Sequence, residues 1–298
     1  MKLLLTGAIQ WPQERIDILK SLGHQVLYIQ DERIPLSQQG IDVTSIEGVV
    51  CNGLFLYNDI SEFQNLSYIQ LTSAGYDRVP LDYIKEHHIE LFNAKGVYSI
   101  PMAEFAVLGV LQLYKQAKFF FKNQQNKVWE KCRDIIELYG KKVAVVGCGN
   151  VGQECAKRFK AFGCQTIGVD LYPYESRDFD DMFGLDKLDT VLPDCDIVVL
   201  TLPLTDATKH LFDEARLRLL KPDAVLVNIS RGAVINTEAL IRMLPNIGGA
   251  VLDVFENEPL KQESLLWNFE NVIITPHNSF VGEGNSERLW NIILRNLK

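Results

Sequence analysis

Short apolar runs alternate along this chain with longer segments in which apolar residues recur at helical spacing. The first pattern is that of strands buried on both faces, the second that of helices laid over them. Their alternation predicts an α/β protein with mostly parallel sheets. In the first third, Lys2–Thr6, Gln25–Gln30, Gly48–Cys51, Tyr68–Thr72 and Glu90–Asn93 read as strands. Helices are expected over Pro12–Leu22, ending at Gly23, and around Leu81–His87. Together they make a small doubly wound unit with no glycine-rich loop after its first strand.

Ile100–Phe121 then reads as one long, largely buried helix. The Gln/Asn/Lys-rich stretch Lys122–Lys131 reads as an exposed connection. A second α/β series follows, with strands at Lys142–Val146, Gln165–Val169, Ala224–Ile229, Gly248–Val254 and Asn271–Ile274, and a helix over Gln153–Phe162. The segment Glu283–Lys298 reads as an amphipathic helix with Leu289, Ile292, Ile293 and Leu297 on one face. No internal repeat or low-complexity tract interrupts the pattern.

Composition narrows the function classes. The 298 residues are 47% apolar and 23% charged, ordinary for a globular enzyme. A net charge of -8 argues against a nucleic-acid partner, which needs clustered Lys and Arg. No apolar run approaches the roughly 20 residues of a membrane span, and Met1–Thr6 is too short for a leader. The six cysteines (51, 132, 148, 155, 164 and 195) show no C-x-x-C and no metal spacing, so most read as small buried hydrophobes and no metal is expected. The simplest location is cytoplasmic.

Lys142–Val146 runs into Gly147-Cys148-Gly149-Asn150-Val151-Gly152, a G-x-G-x-x-G sequence between a strand and a helix. The first glycine permits the tight turn, the second lets backbone approach a pyrophosphate, and the third lets the helix pack closely. Free N–H groups and the helix dipole there favour phosphate. The next strand ends in Asp170, placed to meet adenosine ribose hydroxyls, and Leu171-Tyr172-Pro173 offers no Arg for a 2′-phosphate. The reading is NAD rather than NADP.

Three polar groups follow later strands of the same series: Arg231 in Asn228-Ile229-Ser230-Arg231-Gly232, Glu258, and His277 after Thr275-Pro276. Ligands of open parallel sheets bind beyond the carboxyl ends of strands. An Arg there can grip a carboxylate bidentately, and a protonated His can supply a proton to a carbonyl oxygen as hydride reaches its carbon. A carboxylate bonded to that His favours the imidazolium. His24, His87, His88 and His210 are given no such role.

These motifs resemble the D-isomer-specific 2-hydroxyacid dehydrogenase family. The resemblance rests on the glycine loop with Asp170, then Leu202-Pro203-Leu204-Thr205 with Thr208, then Lys221-Pro222 and the Ser230-Arg231-Gly232 turn. It continues through Asp253-Val254-Phe255, Glu258-Pro259 and Thr275-Pro276-His277. It implies two doubly wound domains with a cleft between them. A flavodoxin-like substrate domain would span residues 1–98 plus 280–298, and a Rossmann NAD-binding domain residues 99–279. It also implies Arg231 as substrate carboxylate ligand, His277 as acid/base and Glu258 as its partner. Gly147, Gly149, Asn150, Val151, Gly152, Asp170, Pro203, Thr208, Ser230 and Asp253 would contact the cofactor, Asp253 at the nicotinamide carboxamide. The backbone at Ala74 and Gly75 would hold the substrate carboxylate. Members are usually homodimers joined through the NAD-binding domain.

Departures from the family pattern bear on specificity. Asn278 and Phe280 follow His277 where smaller residues are common, and Pro101-Met102 stand where small residues are usual. Glu258 argues against a formate dehydrogenase, which resembles a Gln–His pairing. The strand end Val49–Leu54 has no Lys or Arg for a substrate phosphate, and the chain leaves no room for a regulatory domain. The expectation is therefore an enzyme acting on a small or apolar 2-oxo acid. A phosphoglycerate dehydrogenase-like enzyme without a regulatory domain and an NAD-sensing corepressor-like binding protein remain open alternatives.

Overall fold

Consecutive residues of the first strand face opposite cores in the computed structural model, which describes residues 1–297. Leu3 and Leu5 join Leu19 and Val50, whereas Leu4 joins Val49, Ile69 and Leu71. A strand buried on both faces needs this uninterrupted apolar run. The chain divides into two compact units, Met1–Tyr98 with the segment from Gly282, and Ser99–Val281.

The first unit runs β1 (Lys2–Thr6), α1 (Gln13–Ser21), β2 (Gln25–Ile29), β3 (Gly48–Cys51), β4 (Tyr68–Leu71), α2 (Leu81–Glu86) and β5 (Glu90–Phe92). All its strands are parallel, in the order β2-β1-β3-β4-β5.

The second unit opens with α3 (Ser99–Tyr114) and α4 (Ala117–Asn126). It continues through β6 (Lys142–Val146), α5 (Asn150–Ala161), β7 (Gln165–Asp170), β8 (Asp181–Gly184), α6 (Leu188–Val191), β9 (Ile197–Leu200) and α7 (Glu214–Leu217). β10 (Val225–Asn228), α8 (Thr237–Met243), β11 (Gly249–Leu252) and β12 (Val272–Ile274) complete it. This sheet is also wholly parallel, in the order β12-β11-β10-β9-β6-β7-β8. Val143 and Val145 of β6 face one core and Ala144 and Val146 the other. The winding reverses between β6 and β9, so a crevice opens beyond the end of β6, where the glycine loop lies.

The final helix, α9 (Asn285–Asn296), belongs to the first unit, where Leu289, Trp290 and Ile293 pack with Leu3 and Leu5. Arg288 Nε donates to Val97 O at 2.7 Å and Asn296 Nδ2 to Gln70 Oε1 at 2.8 Å. Lys298, the end of the terminal helix expected from sequence, lies outside the described residues.

The long helix expected over Ile100–Phe121 is two helices. Gln116 takes a left-handed conformation (φ 53°), and the Tyr114 carbonyl accepts the N–H of Ile136, so the first helix stops there. The expected exposed connection is in part helix, since α4 reaches Asn126, and the irregular stretch beyond it carries a fully exposed Trp129. α5 begins at Asn150, earlier than the expected Gln153, which puts the third glycine inside the helix. Among the described residues, no helix is long and apolar enough to cross a membrane, and no group of three His, Cys, Asp or Glu could hold a metal ion.

Candidate active site

The loop after β6 is shaped by close approach. Gly147 has φ +97°, and a Cβ there would lie 2.8 Å from Leu202 N, against the strand-end loop of β9. A Cβ on Gly152 would lie 2.2 Å from Gly147 O, so the third glycine is what lets α5 start directly against the turn. Around Gly149 the structure is different: beyond its immediate chain neighbours, nothing lies within 4 Å of its Cβ position. That open face adjoins the α5 N-terminus, which no side chain caps. Its first-turn N–H groups, those of Asn150, Val151 and Gly152, have no intrahelical acceptor. Tight where the protein packs and open where a pyrophosphate would lie, the loop fits a dinucleotide.

Asp170 closes this loop from the end of β7. Its Oδ2 accepts the Cys148 N–H at 2.6 Å and its Oδ1 the Tyr172 N–H at 3.0 Å. Each carboxylate oxygen retains a second lone pair for an outside hydroxyl. The Cys148 thiol is buried beneath the loop, and burial with the Asp170 charge pushes it up to about 12, so it stays neutral filler. Tyr174, which sequence reasoning did not single out, donates its hydroxyl to Cys148 O and accepts from Gln153 Nε2 at 2.7 Å. Only the folded chain shows that a turn after β7 returns to brace the glycine loop.

Arg231 follows β10 on a turn tied by Asn228. The Asn228 Oδ1 accepts the N–H and hydroxyl of Ser230 at 3.1 and 2.9 Å, and its Nδ2 donates to Arg231 O at 3.0 Å. Asn at a strand end commonly organises a turn through such side-chain bonds. Gly232 then packs on the next loop, its Cβ position 1.8 Å from Phe255 C. The turn bearing Arg231 and the loop bearing Glu258 are thus locked together. Ser230, expected at the cofactor, is buried and directs its hydroxyl to Asn228.

Glu258 faces His277. The carboxylate Oε1 accepts the Phe255 N–H at 3.0 Å, and Oε2 lies 2.8 Å from His277 Nδ1. A proton on Nδ1 is donated to Glu258, which leaves Nε2 for chemistry. His277 is left-handed (φ 51°), and its ring meets Phe280 edge-on at 6.0 Å. The strained turn is held from below by the fully buried Asp253. Its Oδ1 accepts Thr275 Oγ1 (2.6 Å) and Asn278 N–H (2.8 Å), its Oδ2 Ser279 N–H (2.9 Å), and its carbonyl His277 N–H (2.8 Å). Asp253, expected at the nicotinamide, has both carboxylate oxygens engaged by the Thr275–Ser279 turn of the next loop.

A second His–carboxylate pair braces the same region. His210 Nε2 lies 2.5 Å from Glu256 Oε1, and Glu256 Oε2 accepts the Thr237 N–H at the start of α8 at 2.9 Å. Burial opposes ionisation of Glu256, but the bonds from Thr237 and His210 outweigh it and hold its carboxyl below the usual range. Thr208 donates to Pro203 O at 2.7 Å and accepts from Thr205 N–H at 2.8 Å, knitting the loop after β9.

Ala74 and Gly75 stand in the first unit, on the loop after β4. Asn93 Nδ2 donates to Ala74 O at 2.6 Å and Ser73 Oγ to Gly75 O at 3.1 Å, so their carbonyls are engaged within the loop.

Comparison with known proteins places these features. Residues 107–279 match the family model described as D-isomer specific 2-hydroxyacid dehydrogenase, NAD binding domain. The chain is 30% identical over 312 residues to a glyoxylate reductase of Thermococcus gammatolerans, covering 99% of this chain and 91% of the relative. It is also 30% identical over 305 residues to a D-3-phosphoglycerate dehydrogenase of Methanocaldococcus jannaschii, covering 100% of this chain and 57% of that longer protein. Among solved structures, a D-isomer specific 2-hydroxyacid dehydrogenase family protein from Aeromonas salmonicida superposes with a TM-score of 0.82 at 29% identity, covering 99% of this chain and 94% of that one.

Proposed function

This chain belongs to the D-isomer-specific 2-hydroxyacid dehydrogenase family, NAD-dependent oxidoreductases, and on that premise we propose that it interconverts a small or apolar 2-oxo acid and the D-2-hydroxy acid. The observation that carries the proposal is the 2.8 Å contact of His277 Nδ1 with Glu258 Oε2, on a loop locked to the Arg231 turn.

The residues act in complementary ways. The Arg231 guanidinium binds the substrate carboxylate and orients the adjacent carbonyl. His277 holds a proton on Nε2 and delivers it to the carbonyl oxygen, while Glu258 keeps the ring aligned through Nδ1. In the reverse direction the neutral ring takes that proton back. The glycine loop would hold NADH and Asp170 its ribose hydroxyls, and the bound cofactor would supply the hydride. Asp170 favours NADH over NADPH, since a 2′-phosphate would meet its carboxylate. Asp253, by fixing the Thr275–Ser279 turn, sets where His277 points.

We further propose a homodimer joined through the second unit. The 127–133 segment supports this: Trp129 is 99% exposed and, with Phe120 and Val128, lines a recess of about 680 Å³. Apolar surface of that kind marks an interface. Sedimentation of W129A against the wild type tests it, and identical oligomeric states would contradict it. The enzymatic reading is tested by following NADH oxidation with a panel of 2-oxo acids.

A further inference from the structure

In the first unit the chain leaves β1 toward β2 and leaves β3 toward β4, so the loops beyond β1 and β3 part in opposite directions. Such a switch point is where an open parallel sheet receives a ligand. Here the chain fills it with its own carboxylate. Glu32 Oε2 accepts the Thr6 hydroxyl at 2.7 Å and the Asn52 N–H at 3.0 Å, while Oε1 accepts the Gly53 N–H at 2.6 Å. Successive backbone N–H groups converging on one oxyanion are the arrangement that binds a phosphate or carboxylate. The seat is closely fitted. The Cβ position of Gly53 lies 3.5 Å from Glu32 Oε1, and burial with the Glu32 charge pushes the adjacent Cys51 thiol up.

The neighbouring strand end carries the Ala74–Gly75 loop, and Thr72 N–H bonds Cys51 O at 2.8 Å across the two strands. A substrate held by its carboxylate at Ala74–Gly75 therefore has the β3 end within reach of its side chain. We propose that Glu32 is a specificity-determining residue. It occupies the anion seat between β1 and β3 and turns away 2-oxo acids whose side chain carries a carboxylate, phosphate or sulfonate. Substrates with no side chain or a neutral one meet no like charge there. The inference rests on the reading of the chain as a 2-oxo acid reductase, and it supplies a physical reason for the preference that reading contains. Arg78, whose Cδ comes within 4.0 Å of the Gly53 Cβ position, would remain beside the seat if Glu32 were removed.

The test uses the whole protein with Glu32→Gln and Glu32→Ala, each checked for a wild-type circular dichroism spectrum. The kcat/KM ratio of oxaloacetate to pyruvate should rise about tenfold or more in E32Q, since a like-charge juxtaposition costs at least that much. A ratio within about twofold of wild type overturns the specificity role. Separately, calorimetric titration with inorganic phosphate, under saturating NADH so that the glycine loop is filled, should show one more phosphate bound by E32A than by the wild type, whose substrate-carboxylate groups can take one themselves. Equal phosphate binding by E32A and the wild type overturns the anion seat. If no variant reduces any 2-oxo acid, the proposed function fails, and the phosphate titration still decides the seat.

Discussion

Glu258 divides its two oxygens between structure and chemistry: one accepts the Phe255 N–H at 3.0 Å and the other meets His277 Nδ1 at 2.8 Å. The backbone bond holds the carboxylate in place, so the His277 ring is oriented by a group that is itself anchored. Phe255 in turn abuts Gly232, which joins the Arg231 turn to the same assembly.

Replacing Glu258 by Gln preserves shape and removes charge. The His277 ring loses the carboxylate partner that orients its Nδ1, so its Nε2 is presented less well to the substrate carbonyl. The kcat at neutral pH should drop by about tenfold or more. A kcat equal to wild type would remove Glu258 from the mechanism.

Arg231→Gln should lower kcat/KM for 2-oxo acids by about three orders of magnitude, the loss of a bidentate charge-assisted contact made to the substrate carboxylate. NADH affinity, read by fluorescence titration, should change little because the glycine loop is untouched. Unchanged kcat/KM would refute the assignment.

Gly232→Ala places a Cβ 1.8 Å from Phe255 C, against the Phe255–Glu256 peptide, with no flexible side-chain atom to yield. Urea unfolding should show a loss of about 3 kcal/mol, and the displaced loop should lower kcat as well. A fully stable and active variant would show that the two turns are not coupled.

The Glu256 carboxyl is held below the usual range by Thr237 and His210, against the effect of burial. A depressed carboxyl contributes stability above its unfolded titration range and loses it as pH falls through the lower folded value. Glu256→Gln should therefore cost about 1–2 kcal/mol near neutrality, with the difference from wild type shrinking below about pH 4. A pH-independent difference in unfolding free energy would contradict this.

Much of the fold is legible in the sequence because parallel strands buried on both faces have a plain signature. Val143–Val146 and Val225–Val227 could be little else. β8 escapes that reading because Asp181-Met182-Phe183-Gly184 is a half-exposed edge strand with no apolar run. The break at Gln116 is equally hidden, since it depends on Ile136 capturing a carbonyl far along the chain. The glycine loop, Arg231, Glu258 and His277 stand out because strand ends carry their polar groups at fixed places. Glu32, Tyr174 and the His210–Glu256 pair do not, for each acts through partners distant in sequence. Asp253 can be picked out by position, but its grip on the Thr275–Ser279 turn is seen only once the loop closes over it.

The central claim is that this site reduces 2-oxo acids with NADH, and its most direct test is the initial rate of NADH oxidation by the purified protein. The panel should run from glyoxylate through pyruvate to longer apolar 2-oxo acids, with both nicotinamide cofactors and chiral analysis of the product. Turnover giving the D-2-hydroxy acid, faster with NADH than NADPH and abolished by His277→Ala, is the predicted result. NADH binding without turnover of any 2-oxo acid would contradict the account.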